Sequence, residues 1–158
     1  MKALEVRIRK VRKGDIDRII DIERSWHHLS HWSIDSYYRL LNDDSFTSSF
    51  VAEIEDDNGR LNIVGFVIFH IAADVSEIYN IAVEQSYARS GIGHQLMAAA
   101  IQESGRRKAA KVILEVRKSN NPAINFYLKF NFRIAGERKN YYSNPIEDAY
   151  VMELEVSD

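Results

Sequence analysis

The chain has 158 residues, of which 46% are hydrophobic, and its formal net charge is -2. This length suits one domain over residues 1–158 with a single core, and the slightly acidic balance argues against broad binding to nucleic acid. No cysteine is present, which excludes a disulfide framework, a thiol nucleophile and a cysteine-based zinc site. With no secretory leader and no run of ~20 apolar residues, we expect a cytoplasmic protein that does not bind membranes.

The first half of the chain predicts a strand, two helices and a hairpin. Alternating apolar and charged residues predict a strand over residues 4–11, and the helix that follows Gly14 has its apolar residues on one face. Ser33 is predicted to cap the second helix. Apolar runs over residues 50–54 and 63–69 flank an Asp-Asp-Asn-Gly turn, which is typical of a β-hairpin.

The next segment predicts alternating strands and helices. A strand over residues 77–83 precedes a glycine-containing turn and a helix that ends near Gly105. Unbroken apolar character apart from one acid predicts a buried strand over residues 112–116. A helix is predicted to begin after Asn121 as its cap and to end at Asn131, which readily takes the left-handed conformation.

The end of the chain predicts a closing strand pair. Its strands cover residues 132–138 and 149–156, and Tyr141 and Tyr142 lie in the loop that connects them. Strands and helices in this order predict an α+β fold.

A glycine pair opens the helix after the strand at residues 77–83. Its sequence is Arg89-Ser90-Gly91-Ile92-Gly93-His94. Glycine lets backbone N–H groups approach an anion, and the helix dipole adds positive potential there, so the turn predicts a phosphate cradle. A dinucleotide site is opposed by the missing third glycine and by the seven residues between Val83 and Gly91.

An acid interrupts the apolar strand that follows this helix. Glu115 stands in the sequence Ile-Leu-Glu-Val, where a buried carboxylate costs several kcal/mol unless it is paired or neutralised. It is a candidate general base. The alternatives are a residue that faces solvent and a buried partner for an arginine such as Arg117.

Three histidines in a predicted loop include one i, i+4 pair, and they are His27, His28 and His31. A structural metal site needs four well-placed ligands, and no acidic ligand stands nearby at a suitable spacing. We therefore expect no metal site.

Several segments together resemble one superfamily. They are Asn80-Ile81-Ala82-Val83, Gly91-Ile92-Gly93, Leu114-Glu115-Val116-Arg117, Phe126-Tyr127 and Asn140-Tyr141-Tyr142. In these segments the chain resembles the GCN5-related N-acetyltransferases (GNAT), and within them the RimI type, which acetylates the N-terminal alanine of a ribosomal protein. The resemblance implies a mixed, mostly antiparallel sheet with a splayed parallel strand pair, flanked by helices.

The resemblance also implies an acetyl-CoA site, with acetyl-CoA as co-substrate. Residues 89–94 would wrap the pyrophosphate, and Asn120 would bind the cofactor arm. The backbone of the splayed strand would hold the pantetheine arm through Ile81, Ala82 and Val83. Glu115 becomes the expected general base, and Tyr127 the expected acid that protonates the departing thiolate.

The implied acceptor is a protein or peptide N-terminus, with a ribosomal protein as one candidate partner. At pH 7 an α-amine with a pKa of ~8 is about one-tenth neutral, whereas lysine at ~10.4 is almost wholly charged. Trp32, Tyr141 and Tyr142 would line the acceptor groove. The alternatives are a relative that acetylates a small amine, a lysine or other N-termini, and a non-catalytic acyl-CoA-binding module.

Overall fold

The structure is a computed structural model, and it describes residues 5–26, 34–42 and 48–156. Within these ranges seven strands form one sheet, and they are β1 (Arg7–Lys10), β2 (Phe50–Glu55), β3 (Leu61–Ala72), β4 (Val75–Val83), β5 (Lys111–Arg117), β6 (Arg133–Tyr142) and β7 (Glu147–Glu155). Their order in the sheet is β1-β2-β3-β4-β5-β7-β6. The helices are α1 (Ile16–Arg24), α2 (Ile34–Asn42), α3 (Ile92–Arg106) and α4 (Asn121–Lys129).

Strands β4 and β5 are parallel, whereas the other neighbouring strands pair antiparallel. Their pairing runs only from Val75 opposite Lys111 to Glu77 opposite Ile113. Strand β4 stays paired with β3 as far as Val83, so a gap opens between the second half of β4 and the second half of β5. The predicted fold class, including the splayed parallel pair, is confirmed.

Helices cover the two faces of the sheet unequally. On one face, α3 and α4 pack on the larger core cluster, which includes Leu96, Leu114 and Met152. On the other face, α1 and α2 pack on β2, β3 and β4. Among the described residues, the cluster on this second face has no member from β5, β6 or β7, so that part of the sheet stays open.

Two local predictions for the segment after β5 were wrong. Tyr141 and Tyr142 lie at the end of β6 and not in a loop. This strand continues along the edge of the sheet, and only four residues separate it from β7. The cap of α4 is Asn120 and not Asn121, since the Asn120 side chain accepts a hydrogen bond from the Ala123 N–H. Asn131 takes the predicted left-handed conformation, with φ 72°.

The described helices include none that is long and apolar enough to cross a bilayer.

A buried ion network ties β1 to the start of α1 and to β2. Arg9 donates two hydrogen bonds to the Asp15 carboxylate, at 2.8 and 3.0 Å, and one to Glu53 at 3.1 Å. Burial works to raise the pKa of Asp15, but the hydrogen bonds from Arg9 and the Arg12 backbone outweigh it and the pKa is lowered. The contribution of ionised Asp15 to the free energy of unfolding is therefore complete above the usual carboxyl pKa. It is lost progressively as the pH falls from there through the lowered pKa.

Arg9→Met is expected to lower the free energy of unfolding by about 3 kcal/mol or more at pH 7, because it leaves two buried carboxylates without their cation. Urea denaturation measures this loss. Arg106→Met is the control, since its partner Glu103 lies one turn away on the helix and Arg106 is exposed, so little change in the free energy of unfolding is expected there. Equal losses in the two variants would contradict a structural role for the Arg9 network.

Candidate active site

The turn before α3 has the geometry of an anion cradle. Gly91 is the N-cap of α3 with φ 89°, and Arg89 also has a positive φ of 61°. The first helical hydrogen bond runs from the Gln95 N–H to the Gly91 carbonyl, so the amides of residues 92–94 precede the helical ladder. No side chain caps them. A Cβ added at Gly91 would meet no protein atom within 4 Å, so the space before these amides is open.

The backbone of β4 turns polar groups toward the gap at alternate residues. The Glu84 N–H donates to the Val64 carbonyl at 2.7 Å, immediately after the pair between Val83 and β3. Hydrogen-bonded and non-hydrogen-bonded pairs alternate in an antiparallel ladder. Val83 and, two residues earlier, Ile81 are therefore in non-hydrogen-bonded pairs, and their N–H and C=O groups point away from β3 into the gap.

Of the three β4 residues that were expected to contact the cofactor, Ala82 differs from Ile81 and Val83. By the same alternation its backbone groups bond to Phe66 on β3, its register partner. The Val83 carbonyl accepts a hydrogen bond from the Trp26 indole at 2.8 Å. Within this trio, the backbone of Ile81 and the amide of Val83 are the groups available to a ligand in the gap.

Glu115 lies beside the gap on the open face of the sheet. Residues of β5 are buried alternately, with Leu114 and Val116 in the core below α3 and α4 and Glu115 on the opposite face. The Glu115 side chain is nevertheless only 11% exposed. Its Oε1 accepts a hydrogen bond from Arg138 Nε at 3.2 Å.

Arg117, which the sequence offered as an alternative partner of Glu115, has other partners. Its guanidinium donates to Glu147 at 3.2 Å and lies over the Tyr142 ring at 4.4 Å. The arginine that pairs with Glu115 comes instead from β6. Arg138 lies opposite Ala149 on the intervening strand β7, and its side chain crosses that strand to reach Glu115.

Tyr127 is buried on the other face of the sheet, in the core below α3 and α4. Its ring packs against Phe132 and Phe126, with ring centroids 5.9 and 5.5 Å apart. Burial raises the pKa of Tyr127 to about 12, so the phenol holds its proton at neutral pH. The described residues provide no hydrogen bond to its hydroxyl.

Glu115 and Tyr127 therefore lie on opposite faces of the sheet, and the gap between β4 and β5 connects these faces. The start of α3 lies between the helix of Tyr127 and the end of β4, since a Cβ at Gly93 would lie 3.7 Å both from the Phe126 ring and from the Val83 side chain. The Tyr142 pKa is raised mainly by burial, with smaller effects of Glu115 and Tyr127 among others, which places Tyr142 near both groups. A proton acceptor on one face and a proton donor on the other suit a transfer through the gap.

The remaining predicted cofactor contacts lie around the same opening. Arg89, Ser90 and His94 are exposed at the start of α3, whereas Ile92 is buried and anchors the helix. Asn120 uses its side-chain carbonyl to cap α4 at 3.2 Å. A cofactor contact of Asn120 would therefore have to use its amide nitrogen.

The predicted acceptor residues are divided between described and undescribed parts of the chain. Tyr141 is exposed on the edge strand, and its ring meets the Tyr142 ring edge-on with centroids 5.0 Å apart. Trp32, the histidines at positions 27, 28 and 31, and Ser33 lie outside the described residues. In the part of the chain that the structure describes, no three histidine, aspartate or glutamate side chains are grouped to hold a metal.

Three residues near Glu115 were missed by the sequence reasoning: Glu77, Tyr79 and Arg138. Burial raises the pKa of Glu77, the charge of Glu115 adds to this, and Arg138 and His70 oppose it. Glu77 stands at the first position of the predicted strand, between Ser76 and Ile78, so it lacks the apolar neighbours on both sides that mark Glu115. Arg138 could not be found from sequence, because its contact with Glu115 depends on the order of the strands.

Comparisons with known proteins identify the family of this chain. Residues 16–132 match the model of the acetyltransferase (GNAT) family. A Bacillus subtilis (strain 168) protein, provisionally named [ribosomal protein bS18]-alanine N-acetyltransferase, is 34% identical over 151 residues, which cover 96% of each chain. The crystal structure of the ribosomal-protein-S18-alanine N-acetyltransferase from Escherichia coli superposes with a TM-score of 0.84 at 29% identity, covering 98% of this chain and 96% of the other.

A more distant structure shares the fold. Arabidopsis thaliana NAA60, determined in complex with acetyl-CoA, superposes with a TM-score of 0.82 at 20% identity, covering 96% of this chain and 99% of the other. The chain belongs to the acetyltransferase (GNAT) family. The protein is an N-acetyltransferase that depends on acetyl-CoA, and it is similar over its whole length to the RimI type.

Gly91→Ala is expected to raise the KM for acetyl-CoA at least tenfold, because a side chain at φ 89° strains the turn and projects into the open cradle. Gly136→Ala on β6 is the matched control, since a Cβ there also meets nothing within 4 Å and no positive φ is required. Steady-state kinetics with varied acetyl-CoA measure both variants. An unchanged KM in Gly91→Ala would place the pyrophosphate elsewhere.

Proposed function

We propose that this enzyme transfers an acetyl group from acetyl-CoA to the N-terminal α-amine of a protein, with a ribosomal protein that begins with alanine as its acceptor. The observation that carries the proposal is the placement of Glu115 and Tyr127 on opposite faces of one gap in the sheet. Relatives named for acetylation of ribosomal protein bS18 support the choice of acceptor.

The donor enters from the face of α3 and α4. The open amides at the start of α3 suit a pyrophosphate, and Arg89 adds a positive charge beside them. The backbone groups of Ile81 and Val83 that point into the gap would hold the pantetheine arm, which brings the thioester to the opening between β4 and β5. The acceptor approaches from the open face, where Glu115, Tyr141 and Tyr142 lie.

The reaction is a direct attack of nitrogen on the thioester carbonyl. Glu115 takes a proton from the acceptor ammonium, directly or through a water molecule, and the neutral nitrogen forms a bond to the acetyl carbon. The carbon–sulfur bond then breaks, and Tyr127 donates its proton to the departing CoA thiolate. The raised pKa of Tyr127 keeps that proton in place until negative charge develops on sulfur. The extra proton on the new amide nitrogen passes to the Tyr127 phenolate, directly or through water, and Glu115 releases its proton to solvent.

An α-amine needs little help from a base. With a pKa of ~8 it loses its proton more readily than lysine, by more than two pKa units. A single carboxylate held by an arginine, as Glu115 is held by Arg138, suits this modest demand. An acceptor on a ribosomal protein would place the reaction in the cytoplasm.

Intact-mass measurement of short peptides incubated with acetyl-CoA tests the proposal. Three peptides are compared: one that starts with alanine, one that starts with serine, and one with a blocked N-terminus and an internal lysine. We expect acetylation of the alanine peptide and none of the blocked peptide. Acetylation of the blocked peptide alone would assign the enzyme to lysine, and transfer only to small amines would contradict a protein acceptor.

A further inference from the structure

The open face of the sheet carries a row of five side chains, four of them ionisable, that crosses five strands. Strand register places His70, Glu77, Ile113, Glu153 and Arg133 side by side, from β3 to β6. Residues directly opposite one another in paired strands share a face. Two acids of this row therefore point to the face on which Glu115 lies.

These two acids have different surroundings. Glu153 is paired with Arg133 and with Lys111, the latter at 3.8 Å. None of the ion pairs made by lysine and arginine side chains of the described residues includes Glu77. Glu77 is hydrogen-bonded to the Tyr79 hydroxyl and stands opposite His70 on β3. It is thus a half-buried carboxylate that, within this part of the chain, holds neither an arginine nor a lysine.

Glu77 is also close to the proposed base. It occupies the last paired position of β4 before the gap, and Glu115 stands two residues beyond its partner Ile113 on β5. The negative charge of Glu115 contributes to the raised pKa of Glu77, and it acts on Tyr79 and Tyr141 as well. Because Arg138 already binds Glu115, an incoming cation meets in Glu77 the carboxylate that holds no arginine.

We propose that Glu77 is an acceptor-binding residue that receives the protonated amine of the acceptor and holds it beside Glu115. This inference rests on the proposed function, since it requires an amine in the groove. A carboxylate without a cation in a half-buried site gains more from an ammonium than an exposed one does. Binding at Glu77 leaves the Glu115–Arg138 pair intact until the proton is removed.

The test measures affinity without turnover. Enzyme saturated with CoA, which has no acetyl group to give, is titrated by calorimetry with an alanine-starting peptide and with the same peptide already N-acetylated. The ratio of the two affinities reports recognition of the ammonium. Glu77→Gln is expected to lower this ratio about tenfold, the effect of losing one charge-assisted hydrogen bond, with affinity for the blocked peptide and for CoA unchanged.

Glu153→Gln is the matched control. It lies in the same row and on the same face, but its charge is already balanced by Arg133 and Lys111. In turnover assays Glu77→Gln should raise the KM for the acceptor with little change in kcat. An unchanged affinity ratio in Glu77→Gln, or an equal loss in Glu153→Gln, would overturn the assignment.

A pH titration keeps the assignment testable if Glu77→Gln does not fold. Below pH 7 the peptide amine stays protonated, since its pKa is ~8. The pKa of Glu77 is raised, so wild-type affinity for the free peptide should fall as the pH drops through the titration of Glu77. The groups that face Glu77 are His70, Tyr79, Glu115, Arg138 and Tyr141.

The Glu115→Gln enzyme separates the two carboxylates, because it should retain this pH-dependent loss. A pH-independent ratio in wild type, or a loss that disappears in Glu115→Gln, would overturn the role of Glu77. If the mass assay instead identifies a lysine or a small amine, the proposed function fails and the titration is run with that amine and its acetylated form. If the enzyme binds neither the free peptide nor the free amine more tightly than its acetylated form, the proposed function and the role of Glu77 are both overturned.

Discussion

Glu115→Gln is expected to lower kcat for acetyl transfer by about 10² to 10⁴-fold, which is the usual contribution of a general base. The amide keeps the size of the carboxylate and can still accept the hydrogen bond from Arg138. Folding and acetyl-CoA binding should therefore persist. Single-turnover measurements between pH 6 and 9 follow the chemical step directly.

Glu103→Gln provides the control for this substitution. Glu103 is as buried as Glu115, with a side chain 12% exposed, and it too pairs with an arginine, but it lies near the end of α3, away from the gap. We expect near-normal kcat in Glu103→Gln. A near-normal kcat in Glu115→Gln across this pH range would remove it as the base, and a joint loss of stability and cofactor binding would assign it a structural role instead.

Tyr127→Phe is expected to lower kcat by about 10²-fold or more, the lower end of the range for a general acid, while the KM for either substrate changes little. The substitution keeps the ring that packs on Phe126 and Phe132. Because the described residues provide no hydrogen bond to the hydroxyl, the melting temperature should stay the same or rise. An unchanged single-turnover rate would show that the thiolate leaves without this proton.

Tyr38→Phe shows what loss of a phenol costs outside the site. The Tyr38 hydroxyl donates to Asp17 at 2.6 Å on the surface where α2 meets α1. Its removal should lower stability only slightly and leave the acetyl-transfer rate unchanged. Tyr127→Phe should thus lower the rate without loss of stability, whereas Tyr38→Phe should lower stability without loss of rate.

The family and the cofactor turn were predictable because their signals are local. The glycine pair of the α3 turn needs only six consecutive residues, and the left-handed conformation of Gly91 follows from that turn. Glu115 is visible as an acid among apolar neighbours within five residues. The hairpin between β2 and β3 was predicted from its turn, where the Asp56 carboxylate accepts hydrogen bonds from the Asn58 and Arg60 amides.

The partners of these residues were decided by tertiary structure. Arg138 meets Glu115 because β7 enters the sheet between β5 and β6, an order that follows from burying whole strand faces and leaves no mark on nearby residues. Tyr141 and Tyr142 extend β6, since an edge strand can continue as long as one neighbour pairs with it. Asn120 and not Asn121 caps α4, because the Asn120 side chain accepts the hydrogen bond from the Ala123 N–H.

The amino-acid sequence by itself determined most strands and helices and the glycine turn before α3, since period and turn chemistry are written in adjacent residues. The candidate base and acid followed from the resemblance to the GNAT family. The tertiary structure alone decided that base and acid lie on opposite faces of one gap. It also placed Glu77 beside Glu115, although 38 positions separate them in the chain. Both outcomes depend on where the pairing of β4 with β5 stops, after Glu77 and Ile113, because contacts between strands that are distant in the chain leave no pattern in adjacent residues.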